Sequence, residues 1–429
     1  MSLQRAALAA LIWLLVAVGV SAQDGSMPVT LGECVQYGLE HSPRIRGARE
    51  NSMAAAARLT QANAVGRVHV DANGAYAARE PAPMDLRAYT VGLSVTKLLY
   101  DGGRASAGVR QTDRLLEAAQ HSIRETELSV ALLTAERYHA VLQSRALATA
   151  AAELLALAER YREVAAGGYE AGTVPRVDVI RGDAAVASQR LGLVEAQTAE
   201  KTAIAELINA MGMEPGRPLQ LAEPEPIPEA AEAPTDVGRL IEAAYWHRPE
   251  LLGMEAEIGA VEAAVRGAQA GHKFEVSAFG ELGLAENRFP PRQPAWRVGL
   301  AASIPLFDGG GTRGRVDEAK ANVRSLAAER DEARQQVALE VTKAALRVQE
   351  TTESIAAARE ALRLARYNME LAEGRYRAGV GSSVEVTDAR AALAAALTDE
   401  ANSGYEYRAG RAALAVSVGL LPTEEQGLQ

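Results

Sequence analysis

Two carboxylates near the end of the chain are the residues best placed to do chemistry. Glu385 and Asp388 are three residues apart in a segment with a helical pattern, so they project from one face of a helix. Carboxylates of this kind select or bind cations where they line a narrow passage. The alternative is a solvated acidic face, in which Ser382 or Ser383 caps the helix and Glu385 complements its dipole. The spacing alone favours the second interpretation and leaves the first open.

Enzyme chemistry finds little support in the sequence. It contains no nucleophile elbow, no Walker motif and no zinc-type spacing of Cys and His, and its one cysteine, Cys34, excludes a disulfide within the chain. Residues 309–314 fit G-x-G-x-x-G, but a dinucleotide site needs a parallel βαβ unit, whereas here an antiparallel-type strand pair precedes a very long helix. We therefore predict no enzyme activity, no cofactor and no metal. The net charge of −10 also argues against nucleic acid as a partner.

The elements that would position the carboxylates belong to a unit that occurs twice. Residues 89–103 (YTVGLSVTKLLYDGG) match residues 296–310 (WRVGLAASIPLFDGG), and residues 169–179 (YEAGTVPRVDV) match residues 376–386 (YRAGVGSSVEV). Residues 68–76 match 274–282, and residues 31–45 match 237–251. All four pairs are displaced by about 206–207 residues, which indicates one unit copied in tandem.

Each unit is predicted to contain short helices, two strands and two long helices. The strands alternate apolar and polar residues with period two, for example Val91 and Leu93 against Gly92 and Ser94. After Asp-Gly-Gly, a helical pattern runs without proline for roughly 60 residues, or about 90–100 Å. Apolar residues recur there every seven positions, as in a coiled-coil seam. Abundant alanine and an aromatic content of only 4% suit long helices in close contact.

These patterns predict the domain boundaries. Residues 213–235 contain six prolines and are predicted to be a stiff extended linker between the two copies. The predicted divisions are a signal peptide (1–22), a first copy (23–212), the linker, a second copy (236–420) and a short polar tail (421–429). The predicted long elements are strands at about 68–79, 88–100, 273–286 and 295–305 and helices at about 103–167, 174–211, 310–378 and 382–419.

The N-terminus has the pattern of an export signal. Arg5 supplies a positive charge, an apolar run follows, and Val20, Ser21 and Ala22 form a small-residue cleavage site. The run is short for a membrane-spanning helix, and Cys34 lies too far beyond it to be a lipoprotein cysteine. We expect an exported protein, and no later segment is expected to be apolar enough for a transmembrane helix.

The strands limit how the chain could enter a membrane. Open strand edges leave backbone groups unpaired in lipid, and a closed barrel takes at least about eight strands. Four strands per chain would therefore need a barrel shared by two, three or four chains, and the residues do not choose among these. The alternative is a soluble β-patch that caps a coiled coil. In the barrel interpretation the apolar strand residues face lipid and aromatic residues lie at the membrane interfaces. The lipid-facing residues would be Val91, Leu93, Val298 and Leu300, and the interfacial ones Tyr89, Tyr100 and Trp296.

Taken together, the export signal, the duplication, the LLYDGG and IPLFDGG strand ends and the two Tyr-x-x-Gly turns resemble the TolC-like outer-membrane efflux protein family. The resemblance covers nearly the whole mature chain. It implies an α+β, mainly α protomer that forms a homotrimer, with a long α-helical barrel capped by a shared 12-stranded transmembrane β-barrel. It also implies an outer-membrane location with a periplasmic extension, in contact with a periplasmic adaptor and an inner-membrane pump.

The resemblance assigns roles to residues at the helical tip. It implies that Glu385 and Asp388 form an acidic ring in a closed entrance, and that Tyr376 and Asp178 belong to ties that hold the entrance shut. Gly172 and Gly379 are predicted helix C-caps from spacing alone, and the resemblance makes their turns adaptor-docking sites. The resemblance also implies that Tyr169 and Arg176 take part in the latch and tip contacts, and that Val174 and Val380 belong to the adaptor-docking turns.

The sequence departs from the family pattern at one position. The family often has a basic residue shortly after the second tip glycine, where this chain has Gly381, so Arg176 or Arg181 is the expected source of the cation. The cargo is undetermined among drugs, metals, small metabolites and proteins, because the pump selects it. Two other functions stay open, a periplasmic structural coiled coil and an outer-membrane assembly platform that does not transport.

Overall fold

The computed structural model describes residues 29–79, 86–223, 226–227, 236–286 and 289–423. The predicted signal peptide lies outside these residues, as do residues 224–225 and 228–235 of the linker and 424–429 of the tail. The fold is α+β and mainly helical, as expected.

The first half begins with two short helices whose starts are fixed by side-chain caps. Thr30 and Glu33 form a capping box on the first helix, and Ser42 caps the second, which has Pro43 in its first turn. Two strands and two long helices follow. The elements are α1 (Leu31–His41), α2 (Pro43–Ala64), β1 (Val68–Arg79), β2 (Leu86–Tyr100), α3 (Arg104–Glu170) and α4 (Arg176–Ala210).

The second half has the same order of elements. Its two long helices are again joined by a short turn, and α7 has 67 residues, as does α3. At about 1.5 Å per residue, each of these helices is about 100 Å long. The elements are α5 (Val237–His247), α6 (Pro249–Gln269), β3 (Glu275–Glu286), β4 (Pro294–Ser303), α7 (Gly311–Arg377) and α8 (Ser383–Val418).

The four strands form one antiparallel sheet in the order β1-β2-β3-β4. Its centre is the pairing of β2 with β3, which joins the two halves of the chain. A long helix follows each pair of strands, and an Asp-Gly-Gly turn makes both connections. In both turns the aspartate, Asp101 or Asp308, accepts backbone N–H bonds from the start of the helix. This antiparallel arrangement excludes the βαβ unit that residues 309–314 would need to bind a dinucleotide.

The helices pack as two antiparallel hairpins. Helix α3 packs against α4, α7 against α8, and the hairpins meet where α3 contacts α8. Buried apolar clusters line these contacts, including Leu154, Leu157, Leu393 and Leu397 in the half of the hairpins near the turns. Helix α6 lies along α3, and the linker crosses the hairpins, with Leu221 buried beside Tyr138.

Among the described residues, one helix is long and apolar enough by composition to cross a membrane, which the sequence had not led us to expect. It is α3, and part of its apolar character comes from alanines that pack against neighbouring helices. The prediction that no later segment passes this test is therefore wrong. Because α3 contacts α2, α4, α6 and α8 along its length, we assign it to the helical bundle.

Candidate functional site

The turns that join the long helices form a tip at the end of the bundle away from the sheet. Helix α3 ends at Glu170 and α4 begins at Arg176, while α7 ends at Arg377 and α8 begins at Ser383. Gly172 and Gly379 have the same left-handed backbone, with φ of 74° in both, and each donates its N–H to the tyrosine carbonyl three residues before it at 3.0 Å. Both turns therefore need glycine at this place.

Tyr376 and Asp178 meet inside the tip. The Tyr376 hydroxyl donates to Asp178 Oδ2 at 3.3 Å, and both side chains are buried. Arg181 Nη1 lies 3.6 Å from Asp178 Oδ1 and donates to Ser383 Oγ at 2.9 Å. The contacts join α7, α4 and α8, so separating these helices at the tip exposes the buried Asp178 and removes its hydrogen bond to Tyr376. We call Tyr376, Asp178, Arg181 and Ser383 the tip network.

The tip network rests on a buried aromatic pair that the sequence analysis missed. The rings of Tyr161 and Tyr376 are 5.4 Å apart, and the buried guanidinium of Arg390 lies 5.8 Å from the Tyr161 ring centre. Burial raises the pKa of the Tyr376 phenol, and Tyr161 and Asp178 add to the rise, so the phenol stays a neutral donor. A sequence signal existed, since Arg390 is the one charged residue on the face of α8 that carries Val386 and Leu393.

The two candidate carboxylates lie on the exposed surface of the first turns of α8. Ser382 caps this helix by accepting from the backbone N–H of Glu385 at 3.2 Å, as the alternative interpretation expected. The Glu385 carboxylate accepts from Arg375 Nε at 3.2 Å. Asp388 is exposed and forms no hydrogen bond or ion pair with the part of the chain that the structure describes. Glu385 is therefore paired, and Asp388 is the carboxylate that presents an uncompensated charge.

Arg375 places a cation beside Gly381, where the resemblance led us to expect a basic residue. A side chain at Gly381 has no room, since its Cβ would lie 2.9 Å from both Arg375 Cβ and Tyr376 N. Arg375 instead spans the turn, donating to the Val380 carbonyl at 3.3 Å as well as to Glu385. Of the two expected cations, Arg181 reaches Asp178, and Arg176 joins none of the ion pairs among the described residues.

The other predicted tip residues lie around the turns. Tyr169 and Val380 are exposed, and Val174 is half-buried against the apolar cluster of the tip. Beside them, α3 and α4 border an open groove of about 830 Å³ that carries charges of both signs, including the pairs Arg162–Asp183 and Arg190–Glu159. The structure thus brings Tyr376 and Asp178 together and leaves Tyr169, Arg176 and Val380 on the surface.

The predicted strand residues share one face of the sheet. The register pairs Val91 with Leu284 and Leu93 with Leu282, and Leu282 pairs in turn with Trp296. Val91, Leu93, Val298 and Leu300 are all exposed on this continuous apolar face. The opposite face carries Asp71, Ser94, Glu281 and Arg297 in one row.

Aromatic residues mark both ends of the sheet. The Tyr89 ring packs at a tilt against Tyr76 at one end, with ring centres 4.9 Å apart, and Tyr100 packs in the same way against Phe274 at the other, at 4.5 Å. Tyr100 lies eleven positions after Tyr89 in β2, which corresponds to about 36 Å along a strand. Trp296 is largely exposed on the same face as Tyr89. Among the described residues, no group of three His, Cys, Asp or Glu side chains is arranged to hold a metal ion.

The chain matches the family model described as outer membrane efflux protein over residues 35–213 and 240–420. It is 28% identical over 374 residues to protein CyaE of Bordetella pertussis, an alignment that covers 84% of this chain and 78% of CyaE. Its fold is similar to that of the outer-membrane channel OprN, with a TM-score of 0.79, 22% identity and coverage of 91% and 89% of the two chains. The outer membrane protein VceC of Vibrio cholerae gives a TM-score of 0.76 at 19% identity, with coverage of 91% and 96%.

Proposed function

Because this chain belongs to the outer membrane efflux protein family, we propose that it is the outer-membrane exit duct of a tripartite export system. In this proposal three copies share a 12-stranded barrel in the outer membrane, and their long helices form one tunnel through the periplasm. An inner-membrane pump and a periplasmic adaptor deliver cargo to the tip. The family's members are transport proteins, which agrees with the absence of an enzyme motif in the sequence.

The continuous apolar face of the sheet is the observation that carries the proposal. A face that exposes Val91, Leu93, Val298 and Leu300 is costly in water and favourable in lipid. The sheet has two free edges, β1 and β4, and free edges are not tolerated in hydrocarbon. Twelve strands from three copies would close it, and the opposite, polar face would then line the channel. The two aromatic ends would lie at the two membrane interfaces.

The tip supports a closed resting state. The tip network, in which Tyr376, Asp178 and Ser383 are buried, joins three helices that would have to separate for the tunnel to open. The buried hydrogen bond from Tyr376 to Asp178 contributes about 1.5–3 kcal/mol. We infer that Tyr376, Asp178 and Arg181 form the latch, and that Asp388, together with Glu385 where Arg375 releases it, forms the acidic ring.

The surface of the tip is the proposed docking site for the adaptor. Gly172, Gly379, Val174, Val380 and Tyr169 would form it, beside the charged groove between α3 and α4. The proposed location is the outer membrane, after removal of the signal peptide. The cargo is fixed by the pump, and drugs, metals, small metabolites and proteins all remain candidates.

Ion selectivity in a planar bilayer tests this function. We expect a small, cation-selective conductance from the wild type, and a loss of selectivity without a loss of conductance in Glu385→Ala/Asp388→Ala. The matched control is Glu353→Ala/Glu370→Ala, which removes two carboxylates from α7 outside the predicted ring. Selectivity unchanged by the first pair would remove the acidic ring from the proposal. Inserted protein that never conducts, even with the latch removed by Tyr376→Phe, would favour a non-transporting platform.

A further inference from the structure

A cavity lies between the long helices and the linker, well away from the tip. It has a volume of about 330 Å³ and is bordered by α3, α7, α8 and the linker residues Pro226 and Ile227. Arg359, which lines it, lies 18 residues before Arg377 at the end of α7, so the cavity is about 27 Å from the tip. We call it the linker cavity. Its size is in the range of small-molecule sites, and the proposed duct does not use it.

Two guanidinium groups line the linker cavity and lie close enough to repel each other. Arg359 donates from Nη2 to the Ile227 carbonyl at 3.1 Å, and it joins none of the ion pairs among the described residues. Arg408 donates from Nη1 to the Gly404 carbonyl at 3.3 Å. Burial lowers the pKa of the Arg408 guanidinium, Glu400 opposes the shift, and the like charge of Arg359 adds to it. An anion between the two guanidinium groups would offset their repulsion.

A buried, neutral histidine belongs to the same polar lining. His139 is 7% exposed, and its Nδ1 atom has no hydrogen-bond partner in the part of the chain that the structure describes. Burial lowers the pKa of His139 to about 4, and the charge of Arg408 adds to the effect, so the imidazole is neutral at pH 7 and keeps one N–H donor. A buried polar group without a partner destabilises the folded state, and a bound ligand that pairs with it would offset this effect.

Much of the remaining lining is apolar. Leu142, Ala401 and Ile227 contribute hydrocarbon surface to the cavity, and Ala146, which is exposed, lies at its mouth. A cavity that combines hydrocarbon surface with a few convergent polar groups is typical of a site for a small organic molecule. The ligand that matches this lining has one charged group and an apolar body.

The repeated helical scaffold does not require this polar lining. The long helices of the two halves are equivalent at a displacement of 207 residues, and the equivalent positions in the other half carry apolar groups. His139, Arg359 and Glu400 correspond to Leu346, Ala152 and Leu193. Long helices of the same kind therefore form without these polar groups, and helix packing does not explain why they converge on one cavity.

We infer that the linker cavity binds a small organic carboxylate. The carboxylate would accept from Arg359 and Arg408, and the apolar body would lie against Leu142 and Ile227. The lining carries two positive charges and one negative charge, that of Glu400, so a monoanion balances it. The inference goes beyond the proposed function and does not depend on it, because the site needs neither a trimer nor transport.

Calorimetric titration with three matched probes tests this inference on the purified protein in a neutral detergent. Benzoate has a carboxylate on an apolar ring, acetate has the carboxylate without the ring, and benzyl alcohol has the ring without the charge. We expect benzoate to bind at one site per chain, at least about tenfold more tightly than either of the other two probes. Benzoate should also raise the unfolding temperature of the wild type, since the site exists only in the folded chain.

Substitutions in and beside the cavity locate the binding. Arg359→Met removes one charge and should weaken benzoate binding by at least about tenfold, while Arg359→Lys should keep most of the affinity. Arg363→Met is the matched control, because it removes an arginine one turn further along α7 that pairs with Glu360 on the surface. Ala146→Trp should block the mouth and leave every charge in place, so it tests the site independently of the fold of Arg359→Met.

The other outcomes contradict the inference in distinguishable ways. Benzoate affinity that survives both Arg359→Met and Ala146→Trp, or that falls equally in Arg363→Met, would overturn the site. Equal affinities for benzoate and benzyl alcohol would mean that the cavity binds apolar molecules and does not select anions. Equal affinities for benzoate and acetate would overturn the apolar part of the ligand. None of these outcomes affects the proposed duct, which is tested by conductance.

Discussion

The guanidinium of Arg375 sets how much negative charge the tip presents. It pairs with Glu385, so each copy contributes one paired carboxylate and one free carboxylate, Asp388. The family pattern predicts a basic residue near this turn, where the chain has Gly381. The structure shows an arginine six residues earlier that reaches the same place across the turn. Sequence reasoning could not find it, because the reach depends on the left-handed backbone at Gly379 and the lack of a side chain at Gly381.

Arg375→Ala should make the channel more cation-selective. The substitution frees the Glu385 carboxylate, so each copy would contribute two unpaired carboxylates to the predicted ring in place of one. The measurement is the reversal potential in a salt gradient, together with block by a divalent cation added on the tip side. Arg377→Ala is the matched control, since it removes an equal charge two residues away from a pair with Glu373. An equal effect of both substitutions would mean that only net charge matters.

Buried His139 should make the free energy of unfolding depend on pH. Burial lowers the pKa of His139 to about 4, and the positive charge of Arg408 adds to the effect, while Arg359 and Glu400 line the same cavity. The folded state therefore holds this imidazole neutral, whereas the unfolded chain binds a proton there below about pH 6.5. The free energy of unfolding is unaffected above that pH and falls by about 3 kcal/mol as the pH is lowered toward 4. We expect His139→Gln to lose this dependence in urea unfolding at pH 4.5 and 7, whereas His121→Gln should keep it.

At the level of elements, the spacing of apolar residues along the sequence was enough to predict the strands and the long helices. Alternation and the proline-free heptads identified them, and local signals such as Asp-Gly-Gly located their connections. Their ends were less certain. Helix α3 continues through Gly167 and Gly168 to Glu170. A Cβ at Gly168 would lie 3.0 Å from Val174 Cγ2, so this glycine allows the turn to pack closely and does not end the helix. Strand β4 ends at Ser303, which pairs with Glu275, the first residue of its partner β3.

Lysine substitutions on the two faces of β2 should have unequal effects. Leu93→Lys places a charge on the face assigned to lipid and should cost about 2–4 kcal/mol near mid-membrane. Ser94→Lys is the adjacent control, because its side chain lies on the opposite face of the sheet. The measurement is reversible urea unfolding from lipid vesicles. Equal costs at the two positions would favour the soluble β-patch.

At the scale of the whole molecule, family membership was predictable, and the pairing that joins the two halves of the chain was not. The strand ends, the turns and the duplication indicated the outer membrane efflux protein family, which the match over both halves confirms. The pairing of β2 with β3 is different, because about 175 residues separate these strands and local patterns do not fix the register of distant strands. The trimer and the closed tip remain proposals that rest on the family and on the free edges.

The central claim is a duct held shut by the tip network, and single-channel conductance tests it most directly. Tyr376→Phe removes only the hydroxyl that donates to the buried Asp178, so the loss of about 1.5–3 kcal/mol should shift the tip toward the open state. We predict a small conductance for the wild type, a several-fold larger one for Tyr376→Phe, and no change for Tyr169→Phe at the exposed equivalent position. Inserted trimers whose conductance is the same in all three proteins would contradict the claim.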